Sequence, residues 1–139
     1  MFGKKNPPPI KSLIAEGTTF QGDLQFSEGL RLDGQVRGRL SASQERPSIL
    51  VVSEQAVVDG AVSADHIIVN GRITGPVHAR QMLELQPKAR INGDVTYRNL
   101  EMHMGAVVHG TLIPNLETLG EPPQIPPQAS LTNDSPENS

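Results

Sequence analysis

From Leu30 to Leu40 apolar residues and glycines hold every even position and polar residues every odd one. Leu30, Leu32, Gly34, Val36, Gly38 and Leu40 alternate with Arg31, Asp33, Gln35, Arg37 and Arg39. A period of two is the mark of a strand with one buried face. The stretch from Ile67 to Val77 repeats the frame 37 residues later, with Asn70-Gly71 in the slot of Asp33-Gly34. Both dipeptides favour turns. Gly34 and Gly38 interrupt the buried face, where side-chain room or unusual dihedrals are needed, so they read as corners. Helix prediction is weak throughout, because glycine and β-branched residues are spread along the chain.

The alternation is nested in a longer repeat. Apolar-x-apolar pairs open each copy at Leu13, Leu30, Leu50, Ile67, Leu83 and Leu100, at spacings of 17, 20, 17, 16 and 17 residues. Gly-x-apolar closes each copy at Gly22, Gly38, Gly60, Gly75, Gly93 and Gly110. Six copies at one period mean a solenoid. Hairpins, the competing reading of the turn dipeptides, would pair each strand with its chain neighbour and leave the period unexplained. Each residue is instead expected to stack on its equivalent one turn away: Leu30 between Leu13 and Leu50, and Leu83 between Ile67 and Leu100. Three short strands and three corners fill a turn, and six turns at about 4.8 Å give a rod about 29 Å long. The longest insertion, Ser41 to Ser48, is expected to bulge from one corner. Glycine-x-apolar triplets do not hold to multiples of six, which disfavours a left-handed hexapeptide helix. The expected fold is all-β: a single-stranded right-handed parallel β-helix of about six turns.

Composition agrees with a core of stacked aliphatics. Aromatic residues are 3% of the 139, with no Trp and one Tyr, whereas ordinary cores of this size use more rings. No cysteine is present, so disulfides and thiolate metal sites are ruled out. A net charge of -3 argues against a general nucleic-acid binder. No apolar run is long enough to span a membrane and no secretory h-region is seen, which predicts a cytoplasmic protein. The repeat, residues 13–116, is flanked by tails. Residues 1–12 carry Pro7, Pro8 and Pro9 with Lys4, Lys5 and Lys11. Residues 117–139 hold five prolines and four acids with no base, a composition that predicts disorder.

A solenoid has two ends, each lacking one neighbouring turn. Backbone groups and apolar faces are left open there, and many solenoids cover them with a helical or polar cap. Only a proline run precedes Leu13, and Ile113, Pro114, Asn115 and Leu116 are too few for a full cap. Folding Leu116 and Leu119 back over one end is the competing expectation. Two uncapped ends predict end-to-end association, and repeating such an interface builds a filament. The candidate polymerisation contacts are Ile14, Phe20 and Leu24 at one end, and Met102, Val107 and Leu112 at the other.

Catalytic chemistry finds no constellation. His66, His78, His103 and His109 show no ligand spacing and no HExxH, and read as surface or corner residues. Asp23, Asp33, Asp59 and Asp94 each adjoin a repeat glycine and read as corner residues bonding local backbone. The GGxGxDxUx calcium repeat is missing, as are GxxxxGK[ST] and GxGxxG. No catalytic residue, cofactor or metal ligand is assigned, and no nucleotide switch is expected. Arg31, Arg37, Arg39 and Arg46 cluster in turn two and read as a solvated outer face.

The order and spacing of several pieces resemble the bactofilins, a family of bacterial cytoskeletal proteins. They are Glu16-Gly-Thr-Thr-Phe-Gln-Gly-Asp-Leu24, Leu30 to Gly38, Leu83 to Val95, and Leu100-Glu-Met102 followed by Gly105-Ala-Val107 and Gly110. The resemblance implies non-polar filaments formed without nucleotide through the β-helix ends. It implies scaffolding of cell shape, of cell-wall enzymes and of polar scaffold proteins. Met1-Phe2-Gly3-Lys4-Lys5 is similar to the family's membrane-targeting peptide, so Met1, Phe2, Lys4 and Lys5 are the candidate membrane contacts and the inner face of the cell membrane the expected location. Full burial of Phe2 contributes roughly 1.5–3 kcal/mol, and each lysine about 1 kcal/mol at an anionic leaflet. One tail is a marginal anchor, but a filament presents many. Two other classes remain. A trimeric acyltransferase-like enzyme on a left-handed β-helix is disfavoured by the broken hexapeptide period. A monomeric adaptor would recruit partners through Pro122-Pro123 and Pro126-Pro127.

Overall fold

The computed structural model describes residues 9–115, all of which lie in strands, corners or short connections. Met1, Phe2, Lys4 and Lys5, and likewise Leu116, Leu119 and the proline-rich segment, lie outside the described residues. The strands wind into six turns of three. Turn one is β1 (Ile10–Ile14), β2 (Thr19–Gln21) and β3 (Leu24–Phe26). Turn two is β4 (Gly29–Leu32), β5 (Gln35–Arg37) and β6 (Leu40–Ala42). Turn three is β7 (Ile49–Val52), β8 (Val57–Asp59) and the start of β9 (Val62–Val69). The rest of β9, with β10 (Arg72–Thr74) and the start of β11 (Val77–Leu85), makes turn four. Turn five is the rest of β11, β12 (Arg90–Asn92) and β13 (Val95–Tyr97). Turn six is β14 (Asn99–Met102), β15 (Val107–His109) and β16 (Leu112–Pro114).

Every recorded strand pair is parallel and joins equivalent strands of successive turns, the β-helix arrangement rather than hairpins. The second strands form a sheet of their own in the order β15-β12-β10-β8-β5-β2. The first and third flanks merge into one sheet because β9 and β11 each run through a corner without a break. Parallel register stacks like on like. Leu24, Leu40, Val62, Val77, Val95 and Leu112 form one inward column. Phe20, Val36, Val58, Ile73, Ile91 and Val108 form another. In the middle turns these side chains are fully buried, making a core of Leu, Ile, Val and Ala.

The closing glycines form a column of their own. Gly22, Gly38, Gly60, Gly75 and Gly93 all have φ between +121° and +152°. A Cβ on Gly60 or Gly75 would sit 2.6 Å from the carbonyl carbon of the glycine one turn earlier. The corner therefore demands glycine twice over, for its dihedral and for the close backbone approach. Near the same corner Asp23 and Asp94 accept from the backbone N–H of Arg39 (3.4 Å) and Thr111 (3.1 Å). Sequence reasoning gave these aspartates to their own local backbone. They instead clip the next turn, because the parallel stack puts its N–H above the carboxylate.

The first turn departs from the expected frame. Leu30 does lie over Leu50, and Leu83 lies between Ile67 and Leu100. Leu13 pairs with Arg31, however, while Ser12 pairs with Leu30 and Ile14 with Leu32, after a register shift between Ile10 and Ser12. Leu13 thus points outward and is 58% exposed. Two adjacent apolar residues, Leu13 and Ile14, leave the alternation ambiguous by one step, and one step reverses every side chain. The insertion after turn two is shorter than expected: Ser41 and Ala42 belong to β6, Ser43 to Pro47 make the surface bulge, and Ser48 is buried.

Candidate functional site

The functional question centres on the two ends, where columns that are closed in the middle become open. Leu50, Val58 and Val77 are buried because turns lie on both sides of them. In turn one Phe20 and Leu24 occupy the columns of Val58 and Val77, and Ile14 that of Leu32 and Val52; all three are half-buried, packed against the core from one side only. At the far end Met102 continues the column of Leu85 and is 44% exposed, and Leu112 continues that of Val95 and is 40% exposed. Five of the six candidate contact residues therefore lie in inward-facing columns at the ends of the rod.

Val107 does not. It pairs with Arg90 on the outer flank, and its neighbour Val108 stacks on Ile91 and packs against the core. The signal that separates them is the glycine column. The residue two before each closing glycine faces inward, as Phe20, Val36, Val58, Ile73 and Ile91 do, and two before Gly110 is Val108. Leu100 and Ala106 complete this terminal layer. Ile113 and Met104 add exposed apolar surface beside it.

Ion pairs tie the first turn to the rod. Glu28 accepts from Lys11 Nζ (3.2 Å) and Arg46 Nη1 (3.0 Å), which joins β1, the corner between β3 and β4, and the surface bulge. The Lys11 bond, then the charge of Lys11 and the contacts of Arg46, hold the Glu28 carboxyl below the usual carboxylate range. Asp33 is lowered too, first by the Ser53 hydroxyl and then by Arg31. Deeper along the corner Asp65 accepts from Arg80 Nε (2.7 Å) and from the Ser48 N–H (3.0 Å), while the Ser48 hydroxyl accepts from the Asp65 N–H (2.9 Å).

The arginines of turn two are spread over more than one flank, with Arg39 exposed in the corner after Arg37. Arg31 is paired with Asp33 on the first flank, Arg37 lies outward on the second, and Arg46 is on the bulge. Nor do the histidines gather. His66 starts the first strand of turn four, His78 pairs outward between Ser63 and Thr96, and His109 ends β15. Among the described residues His103 is the histidine with ion-pair partners, Glu84 and Glu101. Among the described residues no helix is long and apolar enough to cross a membrane.

Comparison with known proteins converges on one family. The chain matches the bactofilin family, described as polymer-forming cytoskeletal, over residues 12–113. It is similar to the bactofilin BacO of Myxococcus xanthus, with 23% identity over 111 residues that cover 80% of this chain and 85% of that protein. It is also similar to the bactofilin BacP of the same organism, with 27% identity over 99 residues that cover 71% of this chain and 40% of that protein. No solved structure gives a significant match.

Proposed function

This chain belongs to the bactofilin family of polymer-forming cytoskeletal proteins, and from that membership we propose that it is a non-enzymatic scaffold whose rods join end to end into filaments. The observation that carries the reading is the exposure of the end layers. Met102 and Leu112 sit in columns whose interior members are buried, so a second rod laid on the end would restore the missing turn. Open strand edges there offer backbone N–H and C=O groups for the same pairing that builds the rod. No nucleotide enters this account, since stacking is driven by apolar burial and strand pairing.

The filament is proposed to be non-polar, with like ends meeting. The first turn supports this. Ser12 stands where the interior turns have leucine or isoleucine, and the register shift beside it makes that layer unlike a middle turn. A head-to-tail stack would set Ser12 against Leu100, whereas pairwise contacts let each end match itself.

Membrane attachment is the finer part of the proposal. Met1 and Phe2 insert while Lys4 and Lys5 meet anionic headgroups, and polymerisation multiplies the weak single anchor. The attached filament organises cell-shape or cell-wall machinery at the inner membrane surface. Electron microscopy of the purified chain without nucleotide tests the core claim. Filaments are the expected result, and a monodisperse trimer would replace this reading with the acyltransferase-like one. Pelleting with anionic liposomes tests the anchor: Phe2→Arg polymers should stay in the supernatant, and wild-type pelleting by that variant removes the membrane role.

A further inference from the structure

We propose that Glu84, Glu101 and His103 form a divalent-metal site that bridges turns five and six on the first flank of the rod. It would take a borderline cation of the zinc class. Glu84 lies on β11 and Glu101 on β14, directly opposite one another in the parallel register. His103 follows two residues after Glu101, so its side chain leaves the same outer face. One donor atom from each residue lies within 4.8 Å of the other two. His103 Nε2 is 2.9 Å from Glu101 Oε2 and 3.8 Å from Glu84 Oε2. Ligands about 2.0–2.1 Å from a tetrahedral zinc ion stand about 3.4 Å apart, a value that falls between those two distances.

Electrostatics supports a cation here independently of the spacing. Like charges directly opposite on neighbouring strands are destabilising, yet Glu84 and Glu101 occupy such a pair. Among the described residues the ion pairs of both carboxylates are with His103 alone. A divalent ion balances both carboxylates and needs the imidazole lone pair, which is why the site suits zinc, cobalt or nickel better than magnesium or calcium.

The ligands are held in advance. The His103 N–H donates to the Leu85 carbonyl at 2.9 Å, its own carbonyl accepts from Ala106 at 3.1 Å, and the Gln86 amide donates to Glu84. The Gln86 bond orients the Glu84 carboxylate, and the two backbone bonds fix the point from which the His103 side chain leaves. Three protein donors leave at least one coordination position for water or an incoming group. The bound ion pins the last turn to its neighbour, next to the open layer of Met102 and Leu112.

The test titrates the full chain with Zn2+ by calorimetry and with Co2+ by absorption, in the presence of excess Mg2+. One ion per chain is expected, with d–d bands of a four- or five-coordinate cobalt centre. His103→Ala and Glu84→Gln should each weaken binding at least tenfold, while His66→Ala and His78→Ala should not. Zinc should raise the melting temperature of wild type and leave that of His103→Ala unchanged. Circular dichroism of the metal-free variants verifies that they fold, and Glu101→Gln serves in place of any that does not. Absence of binding, or a loss below tenfold in the folded variants, overturns the site.

Discussion

Turns three and four and the two end turns use the same columns but live under different conditions. Leu50 and Val77 have a neighbouring turn above and below and are 0–1% exposed. Met102 and Leu112 stack on equivalent residues, Leu85 and Val95, yet have a neighbour on one side only. Position in the column, not residue type, decides burial. The middle of the rod is where sequence serves stability, and the ends are where the same residue types become free to serve assembly.

The largest effect should come from the glycine column in the middle. Gly60→Ala puts a Cβ 2.6 Å from the Gly38 carbonyl carbon, at a φ of +151°. Backbone must move, and a loss of about 4 kcal/mol or more is expected by denaturant unfolding, in the range reserved for named disruptions. A near-wild-type midpoint would show that the corner can relax. Leu50→Ala, also in the middle, should lose about 2–5 kcal/mol. Leu112→Ala, already 40% exposed, should lose roughly 1 kcal/mol by the smaller area it returns to water. Its charged counterpart Leu112→Glu should keep the circular dichroism of the folded rod but fail to pellet as filaments, and unchanged filaments would break the contrast between middle and end.

How far this contrast was legible in the sequence depends on which periodicity carried it. Strict alternation from Leu30 to Leu40 and the recurring Gly-x-apolar closers made the solenoid and its six turns readable. Gly34 and Gly38 read as corners because they interrupt the buried face, and both fall between strands. What failed were places where two apolar residues adjoin. Leu13-Ile14 and Val107-Val108 each allow two frames, and burial by the adjacent turn, not local pattern, selects one. The grouping of Glu84 with Glu101 and His103 was also hidden. It depends on a register between residues 17 apart, and a single-residue error removes it. The Asp94 carboxylate reached Thr111 for the same reason, across rather than along the chain.

Smaller effects should mark the first turn. Gly17→Ala meets no atom within 4 Å, so only its φ of +90° is at stake. About 1–2 kcal/mol is expected, against the much larger loss at Gly60. Acid should act more weakly still. Glu28 and Asp33 have folded-state values lowered by their partners. Their contribution is present above the unfolded carboxylate value, about pH 4, and is lost as pH falls through the lowered folded values. Hydrogen exchange should therefore speed up in β1 before it does in β9 on acidification below about pH 4. Glu28→Gln should show the fast β1 exchange at neutral pH, and equal protection across the pH range would discount the ion pairs as a tie.

Parallel stacking also sets the order in which the chain can acquire structure. Partner residues are a nearly constant distance apart in sequence: 15 from Val62 to Val77, 17 from Leu50 to Ile67, 20 from Leu30 to Leu50. Among the described strands no pairing waits for a distant segment, so the loop-closure cost of adding a turn does not grow with the length already made. A chain leaving the ribosome carries each turn's template just ahead of it. Folding is expected to advance as a one-dimensional front, turn by turn, in the manner of repeat arrays.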